Sequence, residues 1–599
     1  MQFLLTAVNS KYIHTNPAIY SLRAFAGEQL WPHIALAEYT INQRPEEILG
    51  DLYRRKPNVI GFSCYIWNFN IVRDLLVEIQ KILPNTDIWL GGPEVSFEAD
   101  KLLDQYPAVR GIMVGEGEET FRDLLTCYVE GRVEVANKIL ATNKEEELRN
   151  IPGLILRQGA TPARELLNFD TLPFLYPIHE TDTTSVEVMK GLQNRIVYYE
   201  SSRGCPFRCS YCLSAIDKTV RLRSFKTVEK ELQFFLDQQI PQVKFIDRTF
   251  NCNHDRAMAI WQYIKENDNS VTNFHFEIAA DIMQEDEIEL LTSLRPGLVQ
   301  LEIGVQTTNP ETLRLIRRPA DSLHIAEVVK KLHSRHNIHI HLDLIAGLPK
   351  EDYESFGKSF NEVYAMRPEQ LQLGFLKVLK GAPIREEAQE YGIVYQDKSP
   401  YEVLYTKWIS YGEILRLKQI EEMVELYYNS NQFTHTLTVL EQAFESPFSM
   451  FEKLADYFND KEYFVYSPAR SRRYDILLEF AVSVAPSREE LFRELLTYDY
   501  YLREKAKSRP DFAVNLSSYR DTIWAFYEKE EESPEYLHAY TEFHARQTMK
   551  MTHMEVFHYP VWVQSPKEIT RRENTPTFML FDYQQRDPLT GEAHTVYFT

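Results

Sequence analysis

Cysteine is scarce in this chain, six residues in 599, and so large a chain with so few thiols is not a disulfide scaffold. Long apolar runs are missing too. No window approaches the ~18 uninterrupted apolar residues that a spanning helix needs. The first residues, MQFLLTAVNSKYIHTN, lack the basic start and long apolar core of a secretion signal. They read as a buried first strand, and the protein as cytoplasmic. Positive charge is in deficit: 66 Lys and Arg stand against 87 Asp and Glu, a net charge of −21 spread along the chain. That balance argues against a membrane surface or a nucleic acid as partner. A small acidic or nucleic-acid substrate held at a local basic site remains open. Neither an internal repeat nor a low-complexity tract is found.

What is there is length and rhythm. At roughly 150 residues per domain the chain has room for about three to five domains. In residues 1–136, FLLTAV, HIALAEY, NVIGFSCY, TDIWLGG and VRGIMVGEGE read as strands, with amphipathic segments such as NIVRDLLVEIQKIL between them. Continuous apolar strands alternating with helices predict a doubly wound parallel sheet of the Rossmann or flavodoxin-like kind. Residues 137–190 are irregular, with IPGLILRQG suggesting a small hairpin and LLNFDTLPFLYP a proline-rich crossover. They read as a linker.

A second βα series fills residues 191–400. RIVYYES, QVKFIDRTFN, NFHFEIAAD, LVQLEIGVQ, IHIHLDLIAGLP and LQLGFLKVL are its strands. Six repeats suit a partial (β/α)6 barrel, with functional groups at the carboxyl ends of the strands. Residues 401–599 change to long helical runs rich in Tyr, Phe, Glu and Lys. The closing segment TPTFMLFDYQQRDPLTGEAHTVYFT reads as two strands joined by a turn at Asp587, Pro588 and Gly591.

Three of the six cysteines are crowded together. SSRGCPFRCSYC places Cys205, Cys209 and Cys212 in C-x3-C-x2-C spacing just after the first strand of the second series. A closed zinc site wants four ligands, which Cys252 or a histidine would have to complete. Three thiolates on one short loop can instead hold three irons of a [4Fe-4S] cluster and leave the fourth iron open. The motif, with Tyr211 before the last cysteine, closely resembles that of the radical S-adenosylmethionine superfamily. The resemblance implies that the open iron chelates the amino and carboxylate groups of S-adenosylmethionine, and that an electron from the cluster splits its sulfonium to yield a 5′-deoxyadenosyl radical. Asp247, Glu277, Glu302, Gln306 and Asp343 stand at or near successive strand ends of the same barrel. They are candidates for S-adenosylmethionine or substrate, although each alone could equally cap a loop or pair with a neighbouring charge.

In the first series, GFSCY, GGPEVS and GEGEETF each follow a strand and open a helix, where small residues let a ligand approach backbone amides. Together with the barrel behind them, they resemble the cobalamin-binding domain of one large branch of that superfamily. Ser63, Gly91, Gly92, Gly115 and Gly117 are the cobalamin candidates. Many such domains carry D-x-H-x-x-G after the first strand; this chain has NSKYIHTNPA, with His14 but neither that Asp nor that Gly. His14 is therefore not assigned to cobalt. The last 199 or so residues resemble a domain of uncharacterised role attached to this group, for which a capping role over the radical site is one expectation. In that domain His553, His558, Arg571 and Arg572 read as a solvated face.

The resemblance implies a radical enzyme that uses cobalamin, with methyl transfer to an unactivated centre of a small molecule. Radical cyclisation or rearrangement is the alternative within the class, and a non-catalytic iron-sulfur and cobalamin sensor the alternative outside it. A low-potential donor such as flavodoxin or ferredoxin is the implied protein partner.

Overall fold

The computed structural model describes residues 1–11, 14–131, 145–176, 190–217, 219–506, 508–563, 569–572 and 576–598. Five parallel strands open the chain: β1 (Phe3–Asn9), β2 (Ile34–Thr40), β3 (Val59–Ser63), β4 (Asp87–Gly91) and β5 (Val109–Met113). Every residue of β1 is buried, as a strand covered by helices on both faces must be. The order is β2-β1-β3-β4-β5. The chain thus leaves β1 towards one side and returns on the other, and this reversal opens a crevice at the carboxyl ends.

The IPGLILRQG hairpin forms β6 (Leu154–Leu156) and β7 (Gly159–Ala160), but it is no free linker. It pairs antiparallel to β5 and widens the first sheet to seven strands, so the first layer runs past residue 136. Residues 132–144 and 177–189, which include much of the expected linker, lie outside the described residues.

The second sheet begins with β8 (Ile196–Tyr199). A two-residue ladder, β9 (Ser202–Arg203) with β10 (Arg221–Leu222), flanks the cysteine loop. Then come β11 (Gln242–Phe245), β12 (Asn273–Ile278), β13 (Val299–Gln306), β14 (His339–Ala346) and β15 (Gln370–Phe375). The order β15-β14-β13-β12-β11-β8 is sequential and parallel throughout. Since β8 and β15 do not pair, the barrel stays open. Burial alternates along β13: one face packs under the helices, while Glu302, Gly304 and Gln306 face the lumen.

Both open edges are covered by other parts of the chain. His14 bridges to Ile196 on β8, and the Thr15 hydroxyl accepts the Tyr198 N–H at 3.0 Å. At the other edge the Asn429 side-chain amide both donates to and accepts from the Leu371 backbone, each at 2.9 Å.

A hairpin of β16 (Val394–Tyr395) and β17 (Val403–Tyr405) leads into helices Tyr411–Met423, Pro447–Asp460, Arg470–Val484 and Glu489–Arg503. The EVLYT segment, expected to be helical, supplies β17 instead. The closing hairpin is present as β19 (Thr577–Arg586) and β20 (Ala593–Phe598), with β18 (Thr552–Phe557) as a third strand that the helical reading of that region missed. His553 and His558 are not a solvated pair. They contact the buried Glu555 and Glu494 at 2.7 and 2.8 Å. This last region packs on the outside of the barrel, with Phe448 against helix Tyr353–Ala365 at Gly357 and Phe360.

Candidate functional site

Two cavities share a wall between the sheets. The larger, about 610 Å3, lies beyond the carboxyl ends of β3, β4 and β5. Ser63, Gly91, Gly92, Gly115 and Gly117 all line it, and its opposite wall comes from Arg203, Gly204, Ser214, Ile246 and Arg248 of the second βα unit. Gly92 has φ +112, and a Cβ there would stand 2.5 Å from the Cys64 carbonyl oxygen. Only glycine fits that turn. No histidine is among the residues lining this cavity. The His14 ring faces the Tyr198 hydroxyl at 3.2 Å and belongs to the barrel edge.

The smaller cavity, about 180 Å3, is lined by Cys205, Cys209 and Cys212 together with Glu277, Glu302, Gln306 and Asp343. The cysteine loop is held from several sides. Ser210 donates its N–H to Ile316 at 2.9 Å and accepts that of Ile384 at 2.8 Å. Gly204, at φ +100, turns the chain where a Cβ would overlap the Thr219 carbonyl. Arg318 approaches Cys209 Sγ at 3.8 Å and donates to the Gly304 carbonyl. Burial pushes the Cys209 thiol up, while the Arg318 guanidinium pulls it down.

The three sulfurs fit a multi-iron group better than one ion. Four sulfurs around zinc sit about 2.3 Å from the metal and so within about 4.6 Å of each other. Among the described residues, the one set of His, Cys, Asp and Glu ligand atoms all within 4.8 Å of one another is Glu302, His341 and Asp343, and it contains no cysteine. Cys252 does not line the cavity, so no fourth thiol joins the three there.

The strand-end acids separate into two roles. Glu302 is gripped by Lys244 at 2.8 Å and His275 at 3.0 Å, which outweigh its burial and hold it well below the usual carboxylate range. Asp343 contacts His341 at 3.0 Å and is pushed up, by burial first. Glu277 makes no hydrogen bond or ion pair among the described residues, and burial, then Glu302 and Asp343, carry it up to about 7 against the pull of Arg248. Gln306 sits at φ +72 where the β13 register shifts, and Gly304 leaves room for its amide to fold back.

Asp247 is the exception among the five candidates. It does not line the cavity. Its carboxylate accepts the Ser201 N–H at 2.7 Å and the Ser201 and Ser202 hydroxyls at 2.6 and 2.7 Å, so it braces the entry to the cysteine loop. The expected cap is a second correction: no residue beyond Asp343 lines either cavity.

Family models match in three places: the B12 binding domain at residues 4–125, the Radical SAM superfamily at 199–363, and a protein of unknown function (DUF4080) at 389–581. The chain carries a B12 binding domain followed by a radical SAM domain. It is 23% identical over 361 residues to the cobalamin-dependent radical SAM methyltransferase TokK of Streptomyces tokunonensis, covering 58% of this chain and 51% of that one. The chain spans about half the length of the first curated relatives it matches. Two solved structures share its fold. The radical S-adenosylmethionine methyltransferase TsrM of Kitasatospora setae has a TM-score of 0.51 at 18% identity, over 67% of this chain and 76% of that one. The cobalamin-dependent S-adenosylmethionine radical enzyme OxsB has a TM-score of 0.54 at 15% identity, over 82% and 80%.

What the motifs did not reveal is how the cobalamin-binding domain is fastened to the radical SAM barrel. Arg203, inside the cysteine stretch itself, reaches Glu116 at 2.8 Å, Glu118 at 3.0 Å and Glu200 at 2.8 Å, and Arg221 also takes Glu116 at 2.8 Å. On the other flank the buried Glu94, two residues past Gly92, pairs with Lys380 at 2.9 Å and accepts the Tyr401 hydroxyl. Apart from Glu200, these partners lie far apart in the chain, and spacing alone carries no signal for them. Arg248 and Ser214 are shared by both cavity walls.

Proposed function

We propose that this chain is a cobalamin-dependent radical SAM enzyme, most consistent with methyl transfer to an unactivated centre of a small molecule. Cys205, Cys209 and Cys212 hold a [4Fe-4S] cluster. Glu277, Glu302, Gln306 and Asp343 surround S-adenosylmethionine on its open side. Cobalamin takes the larger cavity, with Ser63, Gly91, Gly92, Gly115 and Gly117 against it. When bound, these groups supply a 5′-deoxyadenosyl radical and a transferable methyl group. The chain's own residues orient them and wall off the site: the Arg203 and Glu94 clamps fix one cavity against the other, and Asp247 steadies the loop that carries the thiols. A low-potential flavodoxin or ferredoxin supplies the electron.

The single observation that carries this reading is the shared wall. A cavity at the switch point of a doubly wound sheet abuts, through Arg248 and Ser214, a second cavity that holds three thiols. The test is anaerobic reconstitution with iron, sulfide and hydroxocobalamin. Cobalt and about four irons per chain are expected, with 5′-deoxyadenosine formed under strong reductant and, on a methyl acceptor, S-adenosylhomocysteine as well. Replacing any of the three cysteines by Ala removes cluster and cleavage together. A full four-iron cluster in all three variants refutes the assignment, and failure to bind hydroxocobalamin refutes the cobalamin part alone.

A further inference from the structure

Arg248 is the one cation in the shared wall that no protein group has claimed. It follows Asp247 directly, just past the end of β11, and where Asp247 turns to Ser201 and Ser202, Arg248 lines both cavities. More than a third of its surface is exposed, although it stands between the two domains. Among the described residues its guanidinium makes no hydrogen bond and no ion pair. The other arginines lining the cavities are committed: Arg203 to Glu116, Glu118 and Glu200, and Arg318 to the Gly304 carbonyl and Cys209. The nearby acids act on Arg248 only from beyond ion-pair distance. Both oxygens of Glu200 are taken by Arg203, at 3.0 and 2.8 Å, and Glu277 lies outside ion-pair distance.

A guanidinium that lines both cavities with no protein partner is free to take a ligand, and its fork fits a carboxylate or phosphate through two parallel hydrogen bonds. We propose that Arg248 anchors the substrate, and that the substrate therefore carries an oxyanion, a carboxylate or a phosphoryl group, held between the two cavities close to the carbon that reacts. This rests on the reading of the cavities given above. Two other anions could claim Arg248, the carboxylate of S-adenosylmethionine and the phosphate of cobalamin, and the cysteine thiolates could use it as a counter-charge.

The test uses the full chain carrying cluster and cob(II)alamin, with acetate labelled with 13C at its carboxylate as the probe. Electron-nuclear double resonance at the cobalt signal should show a 13C coupling that saturates with acetate. It should be lost in Arg248→Gln, regained in part in Arg248→Lys, and absent with labelled acetamide. No saturable coupling in the wild type, or equal coupling in Arg248→Gln, overturns the proposal. So does a tenfold loss of S-adenosylmethionine affinity in Arg248→Gln, or a tenfold loss for cobalamin that is not seen for cobinamide, which lacks the phosphate. A changed cluster potential with the acetate response intact assigns Arg248 to the thiolates instead. Iron, sulfide and cobalt contents of the same samples separate these outcomes from failure of the cofactor reading, which would remove the basis of both.

Discussion

At the scale of single residues, Glu277 is a group of the smaller cavity whose charge changes near neutrality. Burial first, then Glu302 and Asp343, bring it to about 7. S-adenosylmethionine is a cation at its sulfonium, so its affinity should rise several-fold, by about 1 kcal/mol, as pH goes from 6 to 8 and the carboxylate ionises. Glu277→Gln should bind it with a flat pH profile, and equilibrium titration in the unreduced protein reads this. The sign for stability is the reverse: a raised carboxyl contributes fully below its unfolded value, and that contribution is lost as pH rises through 7. The residue scale also separates what was readable in the chain. Cys205, Cys209 and Cys212 were legible because their relation is covalent spacing, fixed before any folding. Asp247 was not, because an acid at a strand end looks alike whether it faces the lumen or turns back to Ser201 and Ser202. Arg248 was overlooked beside it for the same reason, since only the turn of the backbone decides which of the two neighbours meets the cavity.

At the scale of elements, the strands were the most legible part. FLLTAV through LQLGFLKVL carry continuous or alternating apolar patterns, and each became a parallel strand of one of the two large sheets. Attachment was less so. Nothing in IPGLILRQG says whether its hairpin stands free or joins an edge, because the pairing partner, β5, lies about forty residues earlier and pairs through backbone groups alone. The element that most constrains the larger cavity is the turn after β4. In Gly92→Ala the new Cβ meets backbone at 2.5 Å from the Cys64 carbonyl oxygen, in a conformation that side chains avoid. We expect a loss of about 2 kcal/mol or more in denaturant unfolding, and hydroxocobalamin affinity reduced beyond what stability explains. An unchanged midpoint with normal binding would mean the turn is not held as described.

At the scale of the whole molecule, the two cavities owe their mutual position to charge pairs that cross between domains. Arg203 sits among Glu116, Glu118 and Glu200, and removing it takes the cation from Glu118 and Glu200 while Glu116 keeps Arg221. Arg203→Ala should cost about 3 kcal/mol and split thermal unfolding into two transitions, seen by calorimetry, as the first sheet parts from the barrel. A single transition with an unchanged midpoint would show the clamp to be dispensable. The third domain takes no share in either cavity; it lies on the barrel's outer helix and on the β15 edge. That placement, with His14 and Thr15 on the opposite edge, bears on how the chain survives its own synthesis. A half-closed cylinder offers two raw strand borders to any neighbouring chain, and here each border is sealed by a segment lying outside the barrel. The barrel is therefore shielded from pairing with copies of itself only once the segments on both sides have folded against its two borders.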